Sequence, residues 1–529
     1  MFPAFAPRRG VAVLALVAAL SAGRSAAALA APAEYLPVGD PLEAELRVLD
    51  LYAPSPAAGR IELPSLHSRP LRLFELMGTV PPARVAGARG VTVARIERAL
   101  GRDATAAFAS DDAPRSTPRL LQRSWPGEQR LELSAGLEGM AAWTDDESED
   151  RTRLADGSGV HLRATFQSDR WLGHAHVWLG ELRDVTAFSD ALVADTDIAA
   201  STEDSWLSYQ GGAAWSLQLG RSRWHWGPGE EGSLLLSKTS APLSGMMLHA
   251  RIEPLRADAS IFSATTSPGR GEQLAAHRLE WQPLGGVRLG IAEAARYRAG
   301  GWQGLYVSGL VPYSIVQRLL DQDDRDSAGT ARNNVMISAD LSVRIADGSR
   351  AYGELLVDDL HARYAGVPNK LAYQLGWDGT GDVHGTRLTW NAEYTRLSRF
   401  VYTSYFGRVF SAQGRPIGFP TGPDAERLRL RASWDPDADW QLTAIAARTR
   451  TGEGGIAAAF VPGGPVPEVF SFAGVPETSR SLEGGVRWWP ASGVDCSLLA
   501  GREWRENADH VAGSTRAAWR AVLSLRLVR

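Results

Sequence analysis

One cysteine, Cys496, is present among 529 residues. No internal disulfide can form, and no thiol stands near the N-terminus to take a lipid. Beyond residue 30 no run reaches the roughly 18 apolar residues that a membrane-spanning helix needs. Charge of one sign is lacking as well: 56 basic against 60 acidic residues leave a formal net charge of −4. That balance lacks the basic surplus of a nucleic-acid-binding protein. No Ser/His/Asp signature stands out, and nothing in the chain asks for a cofactor.

What is abundant points elsewhere. Apolar residues make up 44% and charged residues 22%, the composition of a folded chain. Glycine at 54 and tryptophan at 18 suit a β-rich protein with many turns and aromatic-capped strands. At the N-terminus Arg8 and Arg9 precede the apolar run Val11 to Leu20, followed by small residues ending in Ala28-Leu29-Ala30. This is the layout of a secretory signal peptide over residues 1–30, so the chain is expected to be exported.

Residues 31–125 form one expected unit, a small helical domain. Leu42, Leu46 and Leu49 recur at helical spacing until Pro54 and Pro56, and residues 92–101 form a second amphipathic stretch closed by Gly101. Over 126–529 the period changes to two. Ile337, Ala339, Leu341 and Val343 alternate with Ser338, Asp340, Ser342 and Arg344, and Leu428, Leu430 and Trp434 alternate with Arg427, Arg429, Arg431 and Ser433. We place about 18 such strands, an even number, as bacterial outer-membrane barrels require. Short connections (211–212, 253–256, 283–285, 435–438, 490–493) alternate with long ones (182–203, 222–245, 298–332, 398–425, 450–479). The fold predicted is an all-β transmembrane barrel of antiparallel strands with its helical domain in the periplasm and its long loops outside. A soluble β-sandwich explains neither the alternating loop lengths nor arginines facing one side of strands whose other side is apolar. The chain ends on Leu-Val-Arg529, without the terminal aromatic residue of many such barrels.

Two stretches concentrate chemistry. "RWHWGPGEEGSLLLSKTSAP" (223–242) lies in a long outer connection. Its glycines lack the Lys-Ser/Thr pair of a phosphate cradle. Arg223 opens it, Trp224 and Trp226 share one face with His225 opposite, and Glu230 and Glu231 can accept hydrogen bonds from sugar hydroxyls. The competing expectation packs both indoles into the barrel mouth. The second stretch, "RPIGFPTGPDAER" (415–427), offers Asp424 and Arg427, which can pair or meet a ligand, with Tyr402, Tyr405 and Phe406 upstream. Glu354 and Asp358 share one strand face about 13 Å apart, wide for a glycosidase pair, and are expected to be solvated lumen charges. His174 and His176 share a face without a third ligand, so no metal is expected.

These two stretches, with "AYGELLVDDL" (351–360) and "YLPVGDPLEAELRVLDLYA" (35–53), resemble the recurrent motifs of the Wzi family of capsule-assembly proteins. The resemblance spans nearly the whole exported chain. It departs at Glu230-Glu231, where a bulkier aromatic or aliphatic residue is expected. It implies an outer-membrane β-barrel with a periplasmic helical domain that binds capsular polysaccharide or exopolysaccharide in a lectin-like way, without catalysis. The implied partners are that polysaccharide, the surrounding outer-membrane lipid and lipopolysaccharide, and the polysaccharide export machinery. The candidate ligand residues are Arg223, Trp224, Trp226, Glu230, Glu231, Tyr402, Tyr405, Asp424 and Arg427. The alternative is a porin-like channel using Arg387, Arg427, Arg429, Arg431 and Arg520 in the lumen. A plug made by 222–245 and 398–425 would favour the binder, and an open bore the channel.

Overall fold

The computed structural model describes residues 35–36, 41–52, 67–69, 71–72, 87–100, 121–125 and 129–528, the last without 147–151, 155–157, 169, 182–190, 193–197, 212–213, 268–270, 300–302, 322–332, 361–365, 405–407, 462 and 492. The expected signal peptide and Gly101 lie outside the described residues.

Apolar residues at every second position require lipid or protein on one face only, and a sheet in lipid must close to hide its edges. The chain meets both demands with 18 long antiparallel strands. They are β1 (Gln129–Thr144), β2 (Gly159–Gln167), β3 (Trp171–Glu181), β4 (Ile198–Gln210), β5 (Trp215–Ser222), β6 (Leu243–Ile252), β7 (Ala257–Ser267), β8 (Glu272–Leu284) and β9 (Val287–Arg298). The others are β10 (Asn334–Ala346), β11 (Ser349–Asp359), β12 (Lys370–Val383), β13 (Thr386–Leu397), β14 (Ala425–Asp435), β15 (Trp440–Thr451), β16 (Glu477–Ala491), β17 (Val494–Glu506) and β18 (Thr515–Val528). Each pairs with the next, and β18 returns to β1 with Val528 opposite Gly136 and Arg520 opposite Thr144. A short strand at Leu121–Trp125 folds back on the start of β1, so the wall's first hairpin straddles the expected boundary at 125/126.

The outward face carries Leu279, Ile291, Leu341, Leu355, Leu430, Leu482 and Leu523, all exposed. Exposed tryptophans ring it at two levels. Trp171, Trp281, Trp377, Trp434, Trp440 and Trp488 lie near the short turns, and Trp143, Trp504 and Trp519 near the long connections. An apolar band between aromatic girdles is the exterior of an outer-membrane-type barrel. Connections alternate as expected, with turns such as 347–348, 384–385 and 436–439 at one rim.

Two helices close that rim. Helix α1 (Pro41–Leu51) and helix α2 (Gly87–Leu100) pack together, burying Leu42, Leu46, Leu49, Val93 and Ile96. They are tied to the short turns: the Gly348 amide donates to Leu51 O (3.0 Å), the Ala88 amide to Asp382 Oδ2 (2.9 Å), and Arg95 Nη2 to Trp440 O (2.7 Å). Two helices absent from the sequence expectation, α3 (Gly304–Ser308) and α4 (Tyr313–Asp321), lie against the outside of the wall. Tyr306 and Tyr313 pack on the outward residues Ala275, Ala295 and Tyr297. Glu293, also outward-facing, accepts the amides of Tyr313 (2.6 Å) and Ser314 (3.0 Å) at the start of α4. That cap gives a wall carboxylate the orphan donors of a helix N-terminus.

Candidate functional site

The connection 223–242 does not arch over the barrel; it folds back into the lumen. Gly227 permits the entry turn, with φ +141° and its Cα so close to the Glu354 carboxylate that a Cβ would stand 2.8 Å from it. Trp226 then pairs with Leu236, its amide donating to Leu236 O at 2.9 Å, so 226–236 is a closed loop. Wall carboxylates hold this loop through its backbone. Glu354 accepts from Ser233 Oγ (3.0 Å) and the Leu234 amide (3.1 Å), and Glu393 accepts the Glu230 amide (2.8 Å).

A second segment, 398–424, enters beside it. Tyr402 Oη donates to Leu234 O (2.5 Å) and accepts the Phe419 amide (3.1 Å), while the Ser237 amide donates to Ile417 O (2.9 Å). Burial pushes the Tyr402 phenol up, so it stays a donor. Asp358 fixes this segment by accepting the Tyr402 amide at 2.7 Å. A third strand of the plug comes from the N-terminal region: Ser68 and Arg69 pair with Trp226 and His225, and the Gly227 amide donates to His67 O at 2.8 Å. Leu234, Leu236, Val401, Phe410, Ile417 and Phe419 form a dry core with the inward side chains Phe262, Leu274, Met336 and Leu356.

Helix α1 fills the lumen below this core. Its Asp50 binds Arg288 (2.6 Å) and Arg350 (3.1 Å), its Arg47 binds Asp378 (2.8 Å), and its Glu45 binds Arg387 (2.9 Å). Burial disfavours the charged forms of Asp50 and Glu45, but the facing guanidiniums of Arg288 and Arg387 outweigh it and hold both carboxyls below the usual range.

The predicted site residues now have places. Trp224 and Trp226 are 2% and 1% exposed, with Trp224 4.7 Å from Phe262 between ring centres. Their rings face the protein's own interior, and so does Tyr402 at 0%. Arg223 is partly exposed at the loop's start, and Tyr405 lies outside the described residues. Asp424 and Arg427 do not pair with each other. Asp424 Oδ2 accepts the amides of Gly454 and Ala473, both at 3.0 Å, and buckles the loop 452–476 to the plug. Burial raises its carboxyl, and the two amides partly offset this. Arg427 instead binds Glu231 at 2.6 Å, and Glu230 meets Arg431 at 3.0 Å. Burial works against ionised Glu230, yet Arg431, Arg47 and Arg429 hold its carboxyl down to about 2. The two glutamates that depart from the family pattern are thus the counter-charges of lumen arginines.

Two expectations are corrected. Glu354 and Asp358 are 3% and 5% exposed, not solvated lumen charges. With Glu393 they anchor the plug, because unpaired loop amides in a dry lumen need acceptors. Glu393, Arg47, Asp50 and His67 were missed altogether. Arg47 and Asp50 lie three apart beside the apolar stripe of α1, where they resemble a solvated helix face. His174 and His176 stand as expected on one face, where His176 Nε2 lies 2.9 Å from Nδ1 of the unanticipated His161.

A family model for capsule assembly protein Wzi matches residues 127–518. The chain belongs to the Wzi capsule-assembly family. No curated protein matches it in a sequence comparison. Among solved structures it is similar to Escherichia coli Wzi, described as an outer-membrane protein of group 1 capsule assembly and a carbohydrate-binding β-barrel. The two share 14% identity over 93% of this chain and 99% of that one, with a TM-score of 0.59. Acinetobacter baumannii OccAB1 (8% identity, 78% of this chain and 99% of that one, TM-score 0.44) and Pseudomonas aeruginosa OprD (11%, 75% and 95%, 0.41) also match. The likeness to Wzi is one of fold, and the match of the family model is what assigns this barrel to the Wzi family.

Proposed function

We propose that this protein is a non-enzymatic, lectin-like barrel of the outer membrane that retains capsular polysaccharide or exopolysaccharide at the cell surface. The observation that carries the reading, beside family membership, is the plug. Segments 223–242, 398–424 and 67–69 and helix α1 interlock across the lumen, so the barrel offers a polymer a surface and no bore through the plug. With α1 and α2 seated at the periplasmic rim, α1 inside the lumen, the long loops face outside, and polymer arrives there from the export machinery, among outer-membrane lipid and lipopolysaccharide.

Roles divide by exposure. Trp224, Trp226 and Tyr402 stiffen the loop from within, and Asp424 ties the loops 398–424 and 452–476 together. Arg223, Glu230, Glu231 and Arg427, partly exposed, are the groups left to meet sugar hydroxyls or acidic sugars. This supports a binding surface shaped by a rigid floor, whose affinity comes from preorganised groups.

The test is retention of the polysaccharide purified from the protein's own cells, measured by co-sedimentation with the full-length barrel in detergent. Trp224→Ala with Trp226→Ala should abolish retention while the barrel keeps its heat-sensitive electrophoretic mobility. Retention that survives this double change in a folded barrel would overturn the assignment of the loop, and a wild-type barrel that retains no polysaccharide would overturn the function.

A further inference from the structure

A titratable pair stands on the lipid face of the wall, and a helical segment covers it. On β8 the outward positions climb from Trp281 through Leu279 to His277 and Ala275, and on β9 from Leu289 through Ile291 to Glu293, Ala295 and Tyr297. Trp281, of the lower tryptophan ring, stands opposite Leu289. Glu293 lies four residues above that level and Tyr297 eight, about 13 and 27 Å along a strand at ~3.4 Å per residue. With strands tilted about 40°, these are heights of about 10 and 21 Å in an apolar band about 25 Å tall. His277 and Glu293, directly opposite and 3.3 Å apart, thus sit near mid-membrane, where such groups facing hydrocarbon are costly.

Helices α3 and α4 take the place of lipid there. Tyr313 packs against the His277 ring with 4.5 Å between ring centres, and the start of α4 caps Glu293. Tyr306 stacks on Tyr297 at 4.4 Å. Gly309, at φ +58°, brings the chain so close to Ile261 on β7 that a Cβ would stand 2.8 Å from its side chain. The segment therefore lies against the wall at the depth of the outer leaflet. Its other side is apolar too. Among the described residues, the large side chains exposed over 303–319, Leu305, Leu310, Ile315 and Leu319, are all hydrocarbon. A helix with water on that side would carry polar groups there. Below the segment, the exposed Leu279, Ile291 and Ile337 continue the same surface on the bare wall. We propose that α3 and α4 lie within the outer leaflet of the membrane, and that Leu305, Leu310, Ile315 and Leu319 dock the acyl chains of its lipid as an extension of the wall's apolar band. The proposal rests on the membrane barrel and not on polysaccharide retention.

Cys496 is the chain's lone thiol, so a Cys496→Ser background accepts single cysteines for nitroxide labelling. The full-length barrel is placed in vesicles of phosphatidylethanolamine and lipopolysaccharide. Collisions of each label with oxygen, which concentrates in hydrocarbon, are compared with those of a water-soluble nickel chelate. Labels at Leu310→Cys and Leu319→Cys should collide more with oxygen than with nickel, as should one at Leu341→Cys on the bare wall. A label at Glu468→Cys, exposed on the loop 452–476, should show the reverse. Nickel exceeding oxygen at either helix position would place the segment in water and overturn the proposal. Labels shielded from both reagents would show protein on this face, such as a second copy of the chain, and overturn it equally. Heat-modifiable mobility confirms that each variant is folded.

Discussion

Arg387 and Arg520 both project from the barrel wall into the lumen, yet Arg387 is 1% exposed between Glu45 and Asp435 and Arg520 is 41% exposed beside Glu503. The same contrast recurs along each side. Arg278 and Asp340 are both 1% exposed, whereas Arg487 and Asp495 are 31% and 18% exposed. On the dry side a charge persists only because a partner from α1 or from a neighbouring strand meets it directly. Removing one member of such a pair strands the other in a low dielectric. On the wet side water solvates whatever the partner does not, and pairing adds little. One barrel thus holds two electrostatic regimes, and the side that is dry is the side the plug touches.

The sharpest way to break the contrast is Arg387→Ala with Arg95→Ala, which together leave Glu45 and Asp435 without a shared cation. A loss of about 3–5 kcal/mol in docking of α1 is expected, from the usual cost of breaking a buried pair. Rapid hydrogen exchange over 41–51 at unchanged barrel strands would show it; slow exchange there would make the dry side no different from the wet one. Next in size is Glu354→Ala. It deprives the Leu234 amide of its acceptor, at roughly 1–3 kcal/mol for the stranded group, while Ser233 Oγ keeps Trp226 O. Protease cleavage within 223–242 should appear, while Arg505→Ala on the wet side leaves that segment resistant.

Acid should separate the two sides without mutation. Asp50 and Glu45 have folded values below their free ones, so the stability they contribute is present above about pH 4 and is lost as pH falls through the lowered values. His67 is held neutral by burial, its value lowered, so its docking weakens earlier, as pH falls below about 6.5. Exchange at 67–69 should therefore rise before exchange at 41–51 as the medium is acidified, and simultaneous release would count against this order. The smallest effect is expected from Arg480→Ala. Its partner Glu506 is 52% exposed, as is Arg480 itself, and a change within about 0.5 kcal/mol is anticipated. Both residues lie on the outer face of the wall near the long loops, and a clear drop in melting temperature would show that this solvated pair is more tightly coupled than its exposure implies.

The wall was legible in the sequence because lipid acts on every strand alike. Ile337, Leu341, Leu430 and Leu523 sit at period two whatever lies inside the barrel, and long and short connections announce the two rims. The lumen was not legible in the same way. Asp340, Glu354 and Arg387 on the dry side are the same residue types as Asp495, Glu483 and Arg520 on the wet side. What distinguishes them is contact with residues far away in the chain, and no local period encodes that. The loop 223–242 was recognisable as special from its tryptophans and glycines. That it turns inward depends on Glu354 and Glu393, acceptors 120 and 163 residues downstream of the amides they hold.

Helix α1 precedes every wall residue it pairs with. Asp50 is 238 residues from Arg288 and 300 from Arg350, Arg47 is 331 from Asp378, and Glu45 is 342 from Arg387. A chain made and exported from its N-terminus therefore carries this cork long before the neck that receives it exists. Loop closure over such distances is slow to be rewarded, because the ordering cost comes before the contacts. Four ionic seals that engage only once β9 to β13 stand side by side make the seating of α1 a late step, one that registers whether the far wall has been assembled in register.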